Sequence, residues 1–257
     1  MSAAEVQTAS GAQAIQIDGL RVVFGDFVAI PQLSFIARYG EVHGVIGPNG
    51  AGKTTMLDVI TGKTRPQGGH VRLDNRIDLI GMDEPAIALA GVGRKFQKPS
   101  VFEALSVRDN LETALRLKPR SILAEIRHWS DPRRAERVTE VMDEIGLARL
   151  ADKPAGILAH GQKQWLEIGM LLMQRPKLLM LDEPVAGMTE EETRHTADLV
   201  RRLRSPDRAV LVIEHDMAFV EEIADRVTVL HEGTPIFEGR MADARHNAQV
   251  RSVYLGR

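Results

Sequence analysis

The 257-residue sequence predicts an α/β fold with buried parallel strands, an antiparallel β portion near the N-terminus and a helical insert. Three observations predict it. A glycine-rich turn at residues 47–52 joins a short apolar strand to a segment with helical spacing. Two apolar runs, residues 178–183 and 209–215, are typical of strands buried on both faces. From about residue 99 to 160, strand patterns are absent and apolar residues recur at every third or fourth position.

The elements follow in chain order. Residues 1–13 predict a disordered tail. Alternating apolar and polar residues then predict antiparallel strands in three segments, residues 15–17, 19–23 and 28–36. Residues 41–46 predict a buried strand, residues 53–62 a helix that ends at Gly62, and residues 64–75 a turn and a strand.

The second half of the chain alternates strands and helices after the insert. Thr189 and Glu192 form a T-x-x-E capping box that predicts the start of a helix reaching about residue 204. Residues 227–239 predict a hairpin that turns at Glu232 and Gly233. The predicted organisation is therefore one domain over residues 14–257, with a helical subdomain at about 99–160.

Composition excludes several classes of function. The 33 basic and 35 acidic residues give a net charge of −2, so bulk charge does not favour nucleic acid as a partner. The absence of cysteine excludes disulfides and thiolate metal sites. No apolar run approaches the roughly 20 residues that span a bilayer, and the first residues lack the pattern of a signal peptide. If the protein acts at a membrane, we expect another chain to span it.

The strongest motif follows the G-x-x-x-x-G-K-[ST] pattern of a P-loop, between a predicted strand and a predicted helix. We predict a nucleotide site in which backbone N–H groups and the helix N-terminus bind phosphate, Lys53 reaches the β- and γ-phosphates and Thr54 ligates Mg²⁺. The alternative is a glycine turn with a solvated lysine. The P-loop residues predicted to contact nucleotide are Gly47, Pro48, Asn49, Gly50, Ala51, Gly52, Lys53, Thr54 and the adjoining Thr55.

Acidic and polar residues follow the two buried strands. Asp182 and Glu183 end the first, at the edge where α/β sheets bind ligands. We predict that Asp182 holds Mg²⁺ and that Glu183 is the general base for the attacking water. His215 ends the second strand and either orders that water, contacts phosphate or only packs locally. Gln97, where the insert begins, either ligates Mg²⁺ when the insert moves inward or is a surface residue.

A further segment, residues 158–162, opens another helix; its residues are Leu158, Ala159, His160, Gly161 and Gln162. A P-loop enzyme does not need a second helix N-terminus aimed at phosphate in its own site. A dimeric enzyme in which each subunit closes the partner's site does need one.

Together the motifs, in this order, resemble an ABC-type ATP-binding cassette over nearly the whole chain, from about residue 15. The resemblance implies a P-loop NTPase fold with a RecA-like core, an antiparallel β subdomain and an inserted helical subdomain. It implies ATP hydrolysis with Mg²⁺, a phosphate contact from residues 158–162 (the signature segment) to the partner cassette's nucleotide, and an adenine-stacking role for Phe24, which could otherwise only pack in its strand.

The resemblance also implies partners and a location. These are transmembrane permease subunits, a second cassette in a homo- or heterodimer and, indirectly, a periplasmic or extracellular solute-binding protein, with this chain on the cytoplasmic face of the plasma membrane. The run from Lys98 to Phe102 is the predicted contact with the membrane subunits, unless Val101 and Phe102 pack the insert.

Two motifs depart from the common family pattern. L-S-G-G-Q is here L-A-H-G-Q, so Ala159 lacks a hydroxyl for the phosphate. S-A-L-D is here A-G-M-T, with Thr189 in place of the aspartate. Similar variants occur in ATPases of branched-chain amino-acid importers, and we therefore expect hydrolysis to be retained.

Longer stretches resemble the ATPase subunit of urea importers, namely residues 54–69, 91–107, 160–177 and 182–193. Urea is the predicted solute, and branched-chain amino acids are the alternative. Other classes fit less well. Soluble ABC ATPases of DNA repair or translation usually have a coiled coil or two cassettes, kinases and GTPases lack the signature segment, and a non-catalytic regulator would not need Lys53, Asp182, Glu183 and His215 together.

Overall fold

The computed structural model describes residues 12–95, 100–115 and 132–255. It places an antiparallel sheet first, in the order β2-β1-β4-β5. Its strands are β1 (Gln13–Phe24), β2 (Phe27–Arg38), β4 (Gly68–Leu73) and β5 (Ile77–Asp78). Gln13 belongs to β1 and pairs with Arg38, so the first strand begins one residue before the predicted start of the domain. Residues 1–11 of the predicted tail lie outside the described residues.

A six-stranded sheet forms the second layer, in the order β10-β9-β3-β8-β7-β6. Its strands are β3 (Val42–Ile46), β6 (Val92–Lys95), β7 (Leu178–Asp182), β8 (Ala209–Ile213), β9 (Arg226–His231) and β10 (Thr234–Gly239). Neighbours from β9 to β6 run parallel, and only β10 pairs antiparallel. The hairpin turn at Glu232 and Gly233 has φ angles of 48° and 72°, as a two-residue type I′ turn requires.

The helices in the described part of the chain are α1 (Lys53–Ile60), α2 (Glu84–Ala90), α3 (Val107–Thr113), α4 (Pro132–Glu144), α5 (His160–Met173), α6 (Glu190–Leu203), α7 (Met217–Ile223), α8 (Met241–His246) and α9 (Ala248–Leu255). Thr189 caps α6 by accepting from the Glu192 N–H group, and the Glu192 carboxylate accepts from the Thr189 N–H group in return. The predicted capping box is confirmed. Among these helices, none is both long and apolar enough to cross a bilayer.

The predicted insert at 99–160 holds α3, α4 and two short 3₁₀ turns, Ala148–Leu150 and Ala155–Ile157. Residues 116–131 fall within it and lie outside the described residues. Helix α5 packs against both α3 and α4 and against strand β6. It therefore joins the insert to the parallel sheet.

Adjacent residues of the central strands face different cores. Met180 packs with the antiparallel sheet and α1, whereas Leu181 packs with the insert and α5. The same alternation holds for Leu211 and Val212 on β8. Because both faces of these strands are covered, they are apolar throughout, as the sequence suggested. The carboxyl ends of β3, β7 and β8 meet at one edge of the sheet, where the predicted site residues lie.

Candidate functional site

The P-loop, residues 47–54, leaves β3 and enters α1 through positions where only glycine fits. A Cβ atom on Gly47 would lie 2.3 Å from the carbonyl oxygen of Leu230 on β9. Gly52 is the N-cap of α1 with a φ of 91°, and a Cβ atom there would lie 3.2 Å from Gly233. The β9–β10 hairpin therefore supports the loop from behind.

Lys53 is the cation of this loop. Its side chain is buried, and its Nζ atom donates to the carbonyl oxygens of Gly47 at 2.6 Å and Pro48 at 2.9 Å. Burial lowers the pKa of Lys53, and the carboxylates of Glu183 and Asp182 oppose this shift. No side chain caps α1 and no acidic residue occupies its first turn, so its first N–H groups suit an anionic ligand.

The carboxylates predicted at the end of β7 differ in exposure. Asp182 is buried, and its Oδ2 atom accepts from Nη2 of Arg94 at 2.9 Å. Glu183 has a φ of 47° and a side chain that is 31% exposed. The left-handed backbone at Glu183 turns its carboxylate away from the strand and toward solvent, where it can reach a water molecule.

His215 lies beside Glu183 on the neighbouring strand end. Its Nδ1 atom is 3.9 Å from Oε1 of Glu183 and 3.6 Å from Oε2 of Glu214, distances that allow charge interaction but exceed a hydrogen bond. Glu214 is buried, and its carboxylate accepts from the N–H groups of Val185 and His215. Burial raises the pKa of Glu214, and these hydrogen bonds oppose the shift. Glu214 thus fixes the two segments that carry Glu183 and His215.

The donor set at this edge fits Mg²⁺. Thr54, exposed in the first turn of α1, and Asp182 provide a hydroxyl and a carboxylate, which are hard oxygen donors. In the described ranges no group of three or more His, Asp or Glu side chains could enclose a metal. That matches an ion whose remaining ligands are phosphate oxygens and water. Gln97, the other predicted ligand, lies outside the described residues.

The signature segment begins α5. Ala159 is its N-cap, and the Ala159 N–H group donates to Oε1 of Gln162 at 3.1 Å. The Gly161 N–H group donates to Oε1 of Glu192 at 3.2 Å, and the exposed His160 contacts the carbonyl oxygen of Ala186 at 3.3 Å. These contacts tie the segment to residues 186–192 of the same chain rather than to the P-loop.

A pocket of about 370 Å³ borders the P-loop. Phe27, Val28 and Gly50 are among its lining residues, but Phe24 is not. Phe24 pairs across the strand turn with Phe27, and both rings are at least half exposed. Phe27 is therefore a second aromatic candidate for stacking on a base. Phe27 was not among the residues predicted from the sequence, although it lies only three positions from Phe24.

Two residues of the predicted contact run from Lys98 to Phe102 differ in exposure. Val101 packs against the core formed with α5, whereas Phe102 is 56% exposed. The backbone of Phe102 is fixed by Asn110, which accepts from its N–H group at 2.8 Å and donates to its carbonyl oxygen at 3.0 Å. Lys98 and Pro99 lie outside the described residues.

Three buried charged residues near the P-loop edge of the sheet were not predicted from the sequence. Arg94 and Lys95 are buried at the end of β6, and Glu167 is buried on α5. Burial raises the pKa of Glu167 to about 7, while the positive charge of Lys95 opposes that shift. The available signal was two consecutive cations directly after the short apolar stretch at residues 86–93.

A separate cavity of about 600 Å³ has Tyr39, Asp74 and Lys177 among its lining residues. Lys177 precedes β7, so this cavity lies at the amino ends of the parallel strands. Ligands of open α/β sheets bind at the carboxyl ends, and the P-loop edge therefore remains the candidate site.

The chain is similar to known proteins of one family. The family model for ABC transporters matches residues 30–186. The high-affinity branched-chain amino acid transport ATP-binding protein BraF of Pseudomonas aeruginosa is 37% identical over 94% of this chain and 97% of its own length. The corresponding protein LivG of Salmonella typhimurium is 36% identical over the same shares. A crystal structure of the ADP conformation of an ABC transporter's ATP-binding cassette has a TM-score of 0.83 and 28% identity, covering 95% of this chain and 99% of that one.

Proposed function

The chain belongs to the ABC transporter family, and we propose that it is the ATP-hydrolysing subunit of an importer of the branched-chain amino acid group. One observation carries the proposal: the buried Lys53 of the P-loop, Asp182 and Glu183 meet at one edge of the parallel sheet, where the Lys53 charge interacts with both carboxylates. Phosphoryl transfer to water needs a phosphate cradle, a metal ligand and a water-orienting group together.

The substrate is ATP. The N–H groups at the start of α1 cradle its phosphates, and Lys53 exchanges the carbonyl oxygens of Gly47 and Pro48 for phosphate oxygens. Residues 47–55 form this contact, and Phe24 or Phe27 stacks on the base. Thr54, Asp182 and Gln97 are the ligands for Mg²⁺, which neutralises developing charge on the phosphates when bound.

Glu183 orients and deprotonates the attacking water. Its side chain is partly exposed, and the backbone N–H of Glu183 donates to the carbonyl oxygen of Ile213 at 2.9 Å, which fixes the position of Glu183. His215, 3.9 Å from that carboxylate, stabilises the same water or the γ-phosphate. Both side chains come from adjacent strand ends, so their spacing is set by the sheet.

A second cassette completes the site. The signature segment exposes Ala159 and His160 at the start of α5, and its described hydrogen bonds go to Gln162, Ala186 and Glu192 rather than to its own P-loop. Two cassettes closing head to tail place Gly161 and Gln162 of one against the ATP of the other. Closure moves the insert, and the exposed Phe102 transmits that motion to separate permease subunits at the cytoplasmic face of the membrane.

The transported solute is a branched-chain amino acid. The relatives named above, which align over nearly the whole chain, support this alternative over the urea prediction, which rests only on the four stretches of sequence. A solute-binding protein delivers the solute to the permease. Since the solute never touches this subunit, its identity is inferred from relatives rather than from a pocket.

The test is reconstitution of the chain with its native permease, second cassette and solute-binding protein in vesicles. We expect ATP hydrolysis that rises when the binding protein is loaded with leucine, isoleucine or valine. Urea serves as the matched alternative ligand. Stimulation by urea alone would restore the urea prediction, and no hydrolysis under any condition would overturn the function itself.

A further inference from the structure

Arg94 joins three elements beneath the candidate site. It lies on β6, where its Nη1 atom donates to Oδ1 of Asp58 on α1 at 2.6 Å and its Nη2 atom donates to Oδ2 of Asp182 on β7 at 2.9 Å. The side chains of Arg94 and Asp182 are 5% and 4% exposed. One guanidinium group therefore links the helix after the P-loop to the strand that ends in Asp182.

Asp58, the partner of Arg94 on α1, lies on the same helix as Thr54. Asp58 follows Thr54 by four residues on α1, so the two side chains lie one above the other on the same helix face. Fixing Asp58 fixes the turn that carries the Thr54 hydroxyl. We propose that Arg94 is a positioning residue, which sets the separation between Thr54 and Asp182 and so prepares the Mg²⁺ site; this inference rests on the proposed function.

The charges allow this role. A lone buried cation beside a metal ligand would oppose binding of a divalent ion. Asp58 neutralises Arg94, so the group of Arg94, Asp58 and Asp182 keeps a net charge of −1. The Arg94 bond uses Oδ2 of Asp182, and Oδ1 of the same carboxylate can still contact the ion or its water.

The shape of arginine matters as well as its charge. The two Nη atoms point to two carboxylates on different elements at the same time, which a planar guanidinium group does in a fixed geometry. A lysine ammonium is a point charge on a flexible stem and cannot hold both partners in that geometry. Arg94→Lys therefore keeps the charge and removes the link.

The experiment measures metal binding separately from nucleotide binding. Mn²⁺ is titrated into ATP-bound protein in the hydrolysis-deficient Glu183→Gln background, with the bound ion followed by electron paramagnetic resonance. ATP affinity is measured in EDTA. For Arg94→Lys and Asp58→Asn we expect the Mn²⁺ dissociation constant to rise about 10- to 100-fold, as for other residues that orient metal ligands, with ATP affinity in EDTA unchanged.

Arg204→Lys is the matched control, since Arg204 forms an ion pair of 2.7 Å with Asp225 outside the site. We expect its Mn²⁺ affinity to equal the parent's. Asp58→Asn keeps the inference testable if Arg94→Lys does not fold, because the Asp58 side chain is partly exposed. Parental Mn²⁺ affinity in the folded variants would overturn the inference, as would an equal loss of ATP affinity in EDTA, which indicates a general structural role. A parent protein that bound no ATP would instead overturn the proposed function.

Discussion

The molecule contains two glycine-containing helix starts that differ in how they are held. At α1, the P-loop packs against the β9–β10 hairpin, and Lys53 donates to two carbonyl oxygens of its own loop. At α5, Ala159 and His160 are exposed, and Gly161 donates to the Glu192 carboxylate on another helix. The first start is held by the hairpin and by its own lysine, whereas the second is held by hydrogen bonds to Gln162 and Glu192 and exposes Ala159 and His160.

The two helix starts therefore suit different tasks, although both contain glycine. The α1 start has the buried Lys53 cation and no acidic residue in its first turn, so it suits a phosphate by itself. In the first turn of α5, Lys163 is paired with Glu103 at 2.6 Å, and in the proposed dimer this start meets a nucleotide held by the partner. Substitutions at α1 should therefore abolish chemistry, and substitutions at α5 should change association.

The largest effect is expected from Lys53→Ala. Lys53 is the cation that the P-loop contributes, so its loss should abolish ATP hydrolysis and strongly weaken ATP binding. Steady-state hydrolysis and equilibrium binding of a fluorescent ATP analogue measure the two effects. Hydrolysis at the parental rate would show that the P-loop does not hold the reacting phosphates.

Glu183→Gln should separate binding from chemistry at the same edge. The amide keeps the size of the side chain but removes the base, so turnover should fall by about 10²- to 10⁴-fold while ATP still binds. Closed dimers should accumulate with ATP and Mg²⁺ in gel filtration. An unchanged rate would move the base role to another group, and His215 would be the next to test.

Gly161→Asp should act on association. In the proposed dimer a carboxylate at this position lies near the partner's phosphate, and like charges should weaken ATP-dependent dimerisation by about 10²-fold or more. A Cβ atom at Gly161 would also lie 2.7 Å from the Glu192 carboxylate, so Gly161→Asn, which has the same size without the charge, is the control for steric effects. Analytical ultracentrifugation with ATP in a hydrolysis-deficient background measures both variants. Dimerisation of Gly161→Asp equal to the parent's would place this segment away from nucleotide.

Ala159→Ser should strengthen the same association. A hydroxyl that donates to phosphate adds a hydrogen bond to a charged group, worth about 1.5–3 kcal/mol, and the dimer should tighten by about tenfold or more. Serine is also a better N-cap than alanine, so thermal stability without ATP is measured alongside. A stability gain with no change in dimerisation would assign the hydroxyl to capping alone.

The smallest effect concerns stability rather than activity. Because burial raises the pKa of Glu167 from 4.5 to about 7, the folded protein binds this proton more tightly than the unfolded chain. The contribution of Glu167 to the free energy of unfolding is complete below about pH 4.5 and is lost as the pH rises through about 7. Glu167→Gln should therefore show a smaller fall in the free energy of unfolding over that interval, measured by urea denaturation. An identical pH dependence in both proteins would mean that the pKa of the Glu167 carboxyl is not raised in the folded protein, because the charge of Lys95 cancels the effect of burial.

Elements of the fold and the site could be predicted where their pattern lies in consecutive residues of the sequence. Strand β7 and its carboxylates were predicted because the apolar run and the acidic residues that follow it are consecutive in the sequence. Strand β6 was missed because Arg94 and Lys95 make it look polar. Their partners Asp58, Asp182 and Glu167 lie on other elements, so only the folded chain shows why these charges can be buried.

The signature segment shows the same limit. Its residues were identified from the motif, but the Glu192 contact to Gly161 could not be, since 31 residues separate the two and Glu192 already had a local explanation as a capping residue. The predicted solute, urea, stays a prediction. The curated relatives are branched-chain amino acid transport proteins, and in the proposed importer the solute does not meet this chain, so its residues give no local signal for the solute.

The alternate facing of the central strands has a consequence for how this sequence can vary. Met180 and Leu181 are covalent neighbours, but their side chains contribute to separate cores. Substitutions usually combine additively where the sites are more than about 7–10 Å apart and share no contacts, a condition that residues deep in the two opposite cores can meet. Changes in the core with the antiparallel sheet and in the core of the insert can therefore accumulate largely independently during divergence, while the carboxylates at the end of β7 stay in place.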